Sequence, residues 1–392
     1  MRDFIEILII TSSAITCLMA IILLLTYLIR KPEELPSECL PAVTVFVPFF
    51  NEEQSVLIKT LDKLEQQDYP SRIQVLLIDD GSTNDASAAV LSWLKTTRKH
   101  RYAYLRREKN GGRKGYALDY ALESGLAEGE IYVVVDSDTY IEPDGILELA
   151  RKIWSDERYA AVCGYIAPEN HQSSLLAKLQ HYEHIGYYGA IRCAQDKLGM
   201  VPVLAGAFVA HRAEVVKKIG GWSEWLVEDI AWCWRAIAHQ YRTGYAPRAV
   251  AKTQCPVTHS GLFNQRRRWA RGRVEAFSAA WHVSPWSGVA STPWFLITTL
   301  QYIFPPGLLL IPVLIYLNIL LPLVLGCFTL LIYLLLYQCY ARHYRNQVTQ
   351  THRGLLSIAF ATMLLELIVW FPNVLGYLDE LMGKKKMWLT RS

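Results

Sequence analysis

Gln74-Val75-Leu76-Leu77-Ile78-Asp79-Asp80-Gly81 sets a short apolar run directly against two acids and a glycine. Four apolar residues in succession are too few for a helix and fit a strand covered on both faces, with Asp-Asp-Gly ending it. Upstream, Val43-Thr44-Val45-Phe46-Val47 is a second such run and stops at Pro48. Between the two, Ser55 to Gln67 carries Val56, Leu57, Leu61 and Leu64 at helical spacing. Strand, helix, strand is the repeating unit of a parallel sheet. A third run, Ile131 to Val135, stops at Asp136. These residues predict an α/β fold with a mixed, mostly parallel sheet.

Outside this segment the chain turns apolar. Ile7 to Ile29 holds no charge over 23 positions, enough to cross a hydrocarbon core of roughly 30 Å at about 1.5 Å per residue. The mixed flank of Arg2, Asp3 and Glu6, the length of the run and the lack of a small-residue cleavage site favour an uncleaved anchor over a signal peptide. Trp294 to Tyr340 is uncharged over about twice spanning length and is interrupted by Pro305-Pro306, Pro312 and Pro322, which predicts two helices. Leu355 to Leu378 is another candidate span and contains Glu366, an ionisable group expected to face a bundle interior or pore.

Arg30 and Lys31 after the first span, and the Arg266 to Arg273 cluster before the second, place the intervening domain in the cytoplasm. Arg342, Arg345 and Arg353 fit the same side, whereas a third full crossing would leave Lys384-Lys385-Lys386 outside unless Pro372-Asn373 turns the last segment back. The expected organisation is a transmembrane helix over 1–30, a cytoplasmic domain over 31–260, interfacial helices over 261–292, and two to three transmembrane helices over 293–392.

Net charge is only +4, but nine of the twenty residues from Lys95 to Lys114 are Lys or Arg, and five Arg crowd positions 266 to 273. Such clusters suit nucleic acid, anionic lipid or a phosphorylated substrate. With no zinc ligands, RNA-binding signature or helix-turn-helix pattern beside them, nucleic acid is not an expected partner. The eight cysteines are scattered singly, which fits reduced thiols and not structural zinc.

Each apolar run ends in a polar motif, and in open parallel α/β sheets ligands sit at the carboxyl ends of strands. Asn51-Glu52, Asp79-Asp80 and Asp136-Ser137-Asp138 are thus expected to converge on one crevice, although strand-end acids also serve as helix caps. Asp136 and Asp138 offer hard oxygen ligands that suit Mg2+ or Mn2+ bridging a diphosphate. Asn110-Gly111-Gly112-Arg113-Lys114-Gly115 lacks Walker-loop spacing. Lys114, near a helix start, can touch a diphosphate or lie in a solvated loop.

Glu228-Asp229 opens a helix through Ile237. Acids there are favoured by the helix dipole whatever their task, and Asp229 is also placed to act as a general base toward a hydroxyl. Gln265, Arg268 and Trp269 stand at i, i+3 and i+4, one helical face. Arg268 can fork onto phosphate oxygens and Trp269 can stack on a sugar. Arg266, Arg267, Arg271 and Arg273 read as contacts with an anionic membrane surface.

Val47-Pro48-Phe49-Phe50-Asn51-Glu52, Asp79-Asp80-Gly81-Ser82-Thr83, Asp136-x-Asp138, Glu228-Asp229 and Gln265-x-x-Arg268-Trp269 together resemble the motifs of family-2 membrane-embedded glycosyltransferases, which make cellulose, chitin, hyaluronan and poly-N-acetylglucosamine. Asp229-Ile230-x-x-x-Trp234-Arg235, Tyr245-Ala246-Pro247 and Arg268-Trp269-Ala270-Arg271-Gly272 look most like the bacterial poly-N-acetylglucosamine synthases. Phe50 departs from the more usual Tyr of the family.

The resemblance implies a glycosyltransferase A-type, Rossmann-like domain with transmembrane and interfacial helices, in the plasma (inner) membrane. It implies that Asp79 or Asp80 contacts the nucleoside. Asp136 and Asp138 would hold donor and metal, Asp229 would be the base, Arg268 would bind diphosphate and Trp269 the acceptor, with Glu52, Lys114, Glu228 and Gln265 around them. The activity expected is inverting, metal-dependent polymerisation from a UDP-sugar, UDP-N-acetylglucosamine first, onto a growing glycan. The alternatives are single transfer to a membrane lipid acceptor, or a catalytically silent subunit that binds nucleotide sugar. The few carboxyl-terminal helices leave room for a small membrane partner subunit.

Overall fold

The computed structural model describes residues 2–29, 35–36, 40–96, 98–222, 225–348 and 354–385. Arg30, Lys31, Arg353 and Lys386, which entered the orientation argument, lie outside them. The chain begins with α1 (Arg2–Ile29) and then builds a sheet from β1 (Val43–Phe49), β2 (Gln74–Asp79), β3 (Arg101–Arg106), β4 (Ile131–Val135), β5 (Thr139–Ile141), β6 (Tyr159–Pro168), β7 (Phe208–Arg212) and β8 (Arg242–Thr253). The strands lie in the order β3-β2-β1-β4-β7-β6-β8-β5. β1 is parallel to β2 and β4, β2 to β3, and β6 to β8, while β7 runs against β4 and β6, and β5 against β8. The sheet is thus mixed and mostly parallel.

Helices fill the connections: α2 (Gln54–Glu65), α3 (Ala86–Trp93), α4 (Lys114–Glu123), α5 (Gly145–Trp154), α6 (Leu175–Ile185), a π-helical turn (Gly186–Ile191), α7 (Arg192–Leu198), α8 (Ala213–Ile219) and α9 (Glu228–Ala238). Every residue of β1 and β4 is buried, because helices cover both faces. Alternation along β1 sends Val45 and Val47 to one face with Leu57, Leu61, Val75 and Leu77, and Phe46 to the other with Leu76, Tyr132, Trp222 and Trp232. Each buried Val or Leu contributes about 1.5–3 kcal/mol, so truncating Leu57 or Leu61 to Ala would cost roughly 2–5 kcal/mol of the first core.

After the sheet come α10 (His259–Val283), α11 (Pro285–Ile303), α12 (Gly307–Tyr316), α13 (Leu321–His343) and α14 (Leu355–Leu381). The Thr258 hydroxyl caps α10 by accepting from the Gly261 N–H at 3.2 Å. Among the described residues, three helical segments are long and apolar enough to cross a membrane: Glu6–Ile29, Leu321–His343 and Leu355–Leu381.

The stretch expected as two helices is in three pieces, the end of α11, then α12 and α13. Pro306 caps α12, Pro322 opens α13, and Asn318 takes a left-handed φ of 57° between them. Pro372 does not turn the last segment back, because α14 runs through it unbroken.

α14 packs along α10. A side chain at Gly376 would collide with the Arg267 carbonyl, its Cβ only 2.3 Å away, so glycine lets the two helices approach there. Asp379 pairs with Arg267, and Glu380 accepts from Arg271 at 2.9 Å. Arg271 also donates to the Lys384 and Lys385 carbonyls. The arginines read as membrane-surface contacts are therefore committed inside the protein: Arg266 to Glu183, Arg267 and Arg271 to α14, and Arg273 to the Asn373 side chain. Arg267, Arg271 and Arg273 find their partners on α14, 112, 109 and 100 residues further on, and Arg266 finds its partner 83 residues earlier, so none of these partners stood beside the cluster in the sequence.

Candidate functional site

The carboxyl ends of β1, β2 and β4 open into one cavity of about 1520 Å³. Glu52, Asp80, Lys114, Asp136, Asp138, Glu228, Asp229, Gln265, Arg268 and Trp269 all line it. Of the residues singled out from sequence, Asp79 does not.

The loops at the strand ends lock one another. Asn51, at the end of β1 with φ 49°, accepts on Oδ1 from the Thr83 N–H at 2.7 Å, and its own N–H donates to the Ser82 hydroxyl at 3.0 Å. The next residue, Glu52, accepts from the Ser137 hydroxyl at 2.7 Å, which ties the loop after β1 to the one after β4. Asp79 is fully buried beneath. It accepts from the Ser82 N–H at 2.7 Å, from the Tyr104 hydroxyl at 2.8 Å and from Ser87. Burial works against its charge, but the Ser87, Ser82 and Tyr104 bonds win and hold its carboxyl below the usual range. Asp80 instead faces the cavity, held by Arg107 at 2.5 Å and the Gly111 N–H at 3.2 Å.

At the centre, the Lys114 ammonium lies 2.5 Å from Asp136 and 3.3 Å from Glu228, and it donates to the Gly206 carbonyl at 2.9 Å. Burial alone would lower its pKa, yet Asp136 and Glu228, with Asp229 behind them, more than offset that and raise it. It is a permanent cation. The position of Lys114 at the first turn of α4 brings that charge to the strand ends, where sequence left open a solvated loop.

Asp229 stands in the first turn of α9. Its two oxygens accept from the Gly206 N–H at 2.7 Å and the Ile230 N–H at 2.8 Å. Burial, then the neighbouring Glu228, push its pKa up to about 6, against the opposing pull of Lys114 and the two N–H groups. A carboxyl poised there is ionised at neutral pH and still basic enough to take a proton. Arg268 reaches the same acids from α10: burial lowers its pKa, and Glu228, Asp229 and Asp136 act to restore it.

Trp269 follows on α10, with the Arg266 guanidinium 4.6 Å over its ring and Tyr188 edge-on at 6.2 Å. Asp136 is about one-third exposed to the cavity, and Asp138 lies beside it, 3.5 Å from the Thr253 hydroxyl. Among the described residues no group of three or more His, Cys, Asp or Glu could hold a metal ion. Two carboxylates on the cavity wall nevertheless suit Mg2+ or Mn2+, which takes one or two protein carboxylates and completes its shell with phosphate and water.

Two participants escaped the sequence reading. Gly206 donates to Asp229 and accepts from Lys114, and a Cβ there would sit 2.5 Å from the Asp229 carboxylate. The small-residue run Ala205-Gly206-Ala207 was its only signal. The π-helical turn brings Tyr187 and Tyr188 into the lining, and the cavity then continues between α1, α11, α12, α13 and α14, past Glu366.

A family profile described as "Glycosyltransferase like family 2" matches residues 41–272. The poly-beta-1,6-N-acetyl-D-glucosamine synthase of Staphylococcus epidermidis is 28% identical over 234 residues, covering 59% of this chain and 55% of that protein. The Staphylococcus aureus protein of the same name is 26% identical over 250 residues, covering 64% and 58%. The chain thus spans a little over half the length of these curated relatives. The mannosyltransferase PcManGT from Pyrobaculum calidifontis, solved in complex with GDP-Man and Mn2+, aligns with 97% of this chain and 99% of its own, with a TM-score of 0.62 and 19% identity. At that identity the likeness shows the fold, a glycosyltransferase A-type domain with apolar helices attached.

Proposed function

This chain belongs to glycosyltransferase-like family 2, and on that premise we propose that it is an inverting glycosyltransferase that polymerises a sugar from a UDP-sugar. The donor proposed is UDP-N-acetylglucosamine, in keeping with the relatives named for that product. The carrying observation is the convergence of Asp229, Lys114 and Arg268 on one cavity with Asp136 and Asp138.

In this reading Asp229 takes the proton from an acceptor hydroxyl as that oxygen bonds to the anomeric carbon. The bond from that carbon to the diphosphate breaks on the opposite side, and UDP leaves with the electron pair. Lys114 and Arg268 stabilise the charge gathering on the diphosphate. Asp80 contacts the nucleoside, with Asp79 as its buried support. Glu52 and Glu228 hold their neighbours in place, Gln265 lies beside the donor, and Trp269 stacks on the acceptor sugar.

Asp136 and Asp138 would hold Mg2+ or Mn2+. When bound, the ion supplies Lewis-acid neutralisation of the leaving diphosphate. The domain is proposed to face the cytoplasm of the plasma membrane. The continuation of the cavity among the helices supports handing the glycan onward, with a small membrane subunit as a further partner.

Purified protein given each UDP-sugar with manganese should release UDP from UDP-N-acetylglucosamine and yield products of increasing mass. UDP release with none of the donors would leave only a silent subunit. A product one sugar longer and no more would replace polymerisation by single transfer.

A further inference from the structure

Behind Trp269 lies a closed set of side chains to which the proposed transfer gives no task. Arg266 stands one turn before Trp269 on α10, is 4% exposed and carries its guanidinium 4.6 Å over the indole ring. Two of its nitrogens fork onto the Glu183 carboxylate of α6, at 2.8 and 2.5 Å, and one of them also donates to the Tyr188 hydroxyl at 2.8 Å. That hydroxyl lies 3.5 Å from Glu183, which closes the set. Tyr188 meets the Trp269 ring at right angles, 6.2 Å away. Tyr188 is itself held by His184, perpendicular to it at 4.9 Å, and by the Arg192 guanidinium 4.8 Å from its ring.

The π-helical turn makes this possible. Glu183 and Tyr188 are five residues apart in the chain, and on an α-helix they would stand about 140° apart around the axis. The wider turn over Gly186–Ile191 brings them to one side, a distortion found frequently at functional sites.

A buried ion pair is weak as a source of stability, since taking both charges from water costs about what their attraction returns. The buried Nε of Arg266 has no hydrogen-bond partner, a further cost. What the arrangement supplies is direction. A guanidinium gripped by two carboxylate oxygens and a hydroxyl stays where it is, and its charge attracts the face of the indole. Arg266 covers one face of the ring and Tyr188 stands against it at right angles, so the orientation in which Trp269 lines the cavity is set from behind.

We propose that Glu183 is a positioning residue for the acceptor: acting through Arg266, it fixes the plane of Trp269 and with it the angle at which a sugar stacked on that ring presents its hydroxyl to Asp229. The inference rests on the acceptor reading of Trp269 given above and adds the residue that sets it.

The test is initial-rate kinetics of the full chain in detergent micelles, with UDP-N-acetylglucosamine as donor and a short β-linked N-acetylglucosamine oligomer as added acceptor. Glu183→Gln leaves Arg266 charged and unanchored. It should raise the acceptor KM roughly two- to tenfold, up to the effect of losing the Trp269 ring itself, with donor KM and UDP affinity unchanged. Glu183→Asp keeps the charge and should recover part of the loss. The pair Glu183→Gln with Arg266→Gln leaves no unpaired buried charge, so it answers the same question should the single variant not fold, and it should raise the acceptor KM to the same degree. Coupling is the decisive readout. Combined with Trp269→Ala, neither change should raise the acceptor KM further, because the ring they act on is gone.

An acceptor KM unchanged in the Glu183 variants would overturn the inference. So would a rise by the same factor with and without Trp269→Ala, or an equal rise in donor KM, either of which would make the pair a plain tie between α6 and α10. If Trp269→Ala alone leaves the acceptor KM unchanged, the acceptor reading of that residue falls and this inference with it. Failure of the wild type to release UDP would instead remove the transferase reading itself.

Discussion

Replacing Asp229 by Asn tests the base assignment through two readouts that a structural role would not move together. A general base supplies about 10²–10⁴-fold in rate, so kcat should fall by that factor, equivalent to roughly 3–5 kcal/mol of barrier, while UDP affinity changes little. In the wild type, kcat/KM should fall tenfold per pH unit below about 6, the value to which burial and Glu228 raise this carboxyl. The Asn variant should lack that acidic limb.

The same shift makes a stability claim of definite sign. A carboxyl raised from 3.8 to about 6 in the folded state prefers to be protonated there, so its contribution is complete below pH 3.8 and is lost as pH rises through 6. The loss is on the order of 3 kcal/mol. Asn carries no such penalty. One of its two atoms cannot accept the N–H that an Asp229 oxygen now accepts, a roughly constant cost of about 1–3 kcal/mol.

The melting temperature of the variant relative to wild type, followed by intrinsic fluorescence from pH 4 to 7.5, should therefore climb in favour of Asn between pH 4 and 6 and then level off. A flat difference across that range, or a loss of UDP affinity matching the loss of rate, would refute the reasoning.

Lys114→Gln leaves Asp136 and Glu228 facing each other without their shared cation. Breaking a buried pair typically costs about 3–5 kcal/mol, so the variant should melt lower and show a donor KM raised by at least tenfold in initial-rate assays. Asp79→Ala strands the Ser82 N–H, Ser87 and Tyr104 and should destabilise by about 3 kcal/mol or more, visible as a lower melting temperature with no donor present. Asp80→Ala should act mainly on UDP affinity by comparison. Trp269→Ala removes the ring beside Tyr188; an aromatic contact is worth about 0.5–1.5 kcal/mol, so acceptor KM should rise roughly two- to tenfold and products shorten on gels, with UDP binding intact.

The parallel half of the sheet was legible because β1, β2 and β4 are covered on both faces and their sequences are correspondingly apolar. The mixed half, from β7 to β5 in the strand order, was not. β6 is rich in Ala with a Gly and a Cys, and β8 contains Gly244, Pro247 and Lys252, composition that argues against strands. The sheet accommodates Pro247 by a register shift, Gly164 pairing with Ala246 and Tyr165 with Val250.

Asp79 and Asp80 could not be told apart in the chain, since adjacent residues at a strand end point to opposite sides and only the packed neighbours reveal which side is the cavity. Gly206 gave only a short run of small residues, and its importance lies in what approaches it from distant segments.

Arg267 and Arg268 are neighbours on one rigid helix, about 100° apart around its axis. The first is fastened to Asp379 near the end of α14, and the second faces Glu228, Asp229 and Asp136 in the cavity. A rod held on one side and working on the other behaves as a lever. Any displacement of α14 against the sheet is therefore carried by α10 to the guanidinium beside Asp136, Glu228 and Asp229, so cutting the Arg267–Asp379 tie leaves that guanidinium less firmly placed.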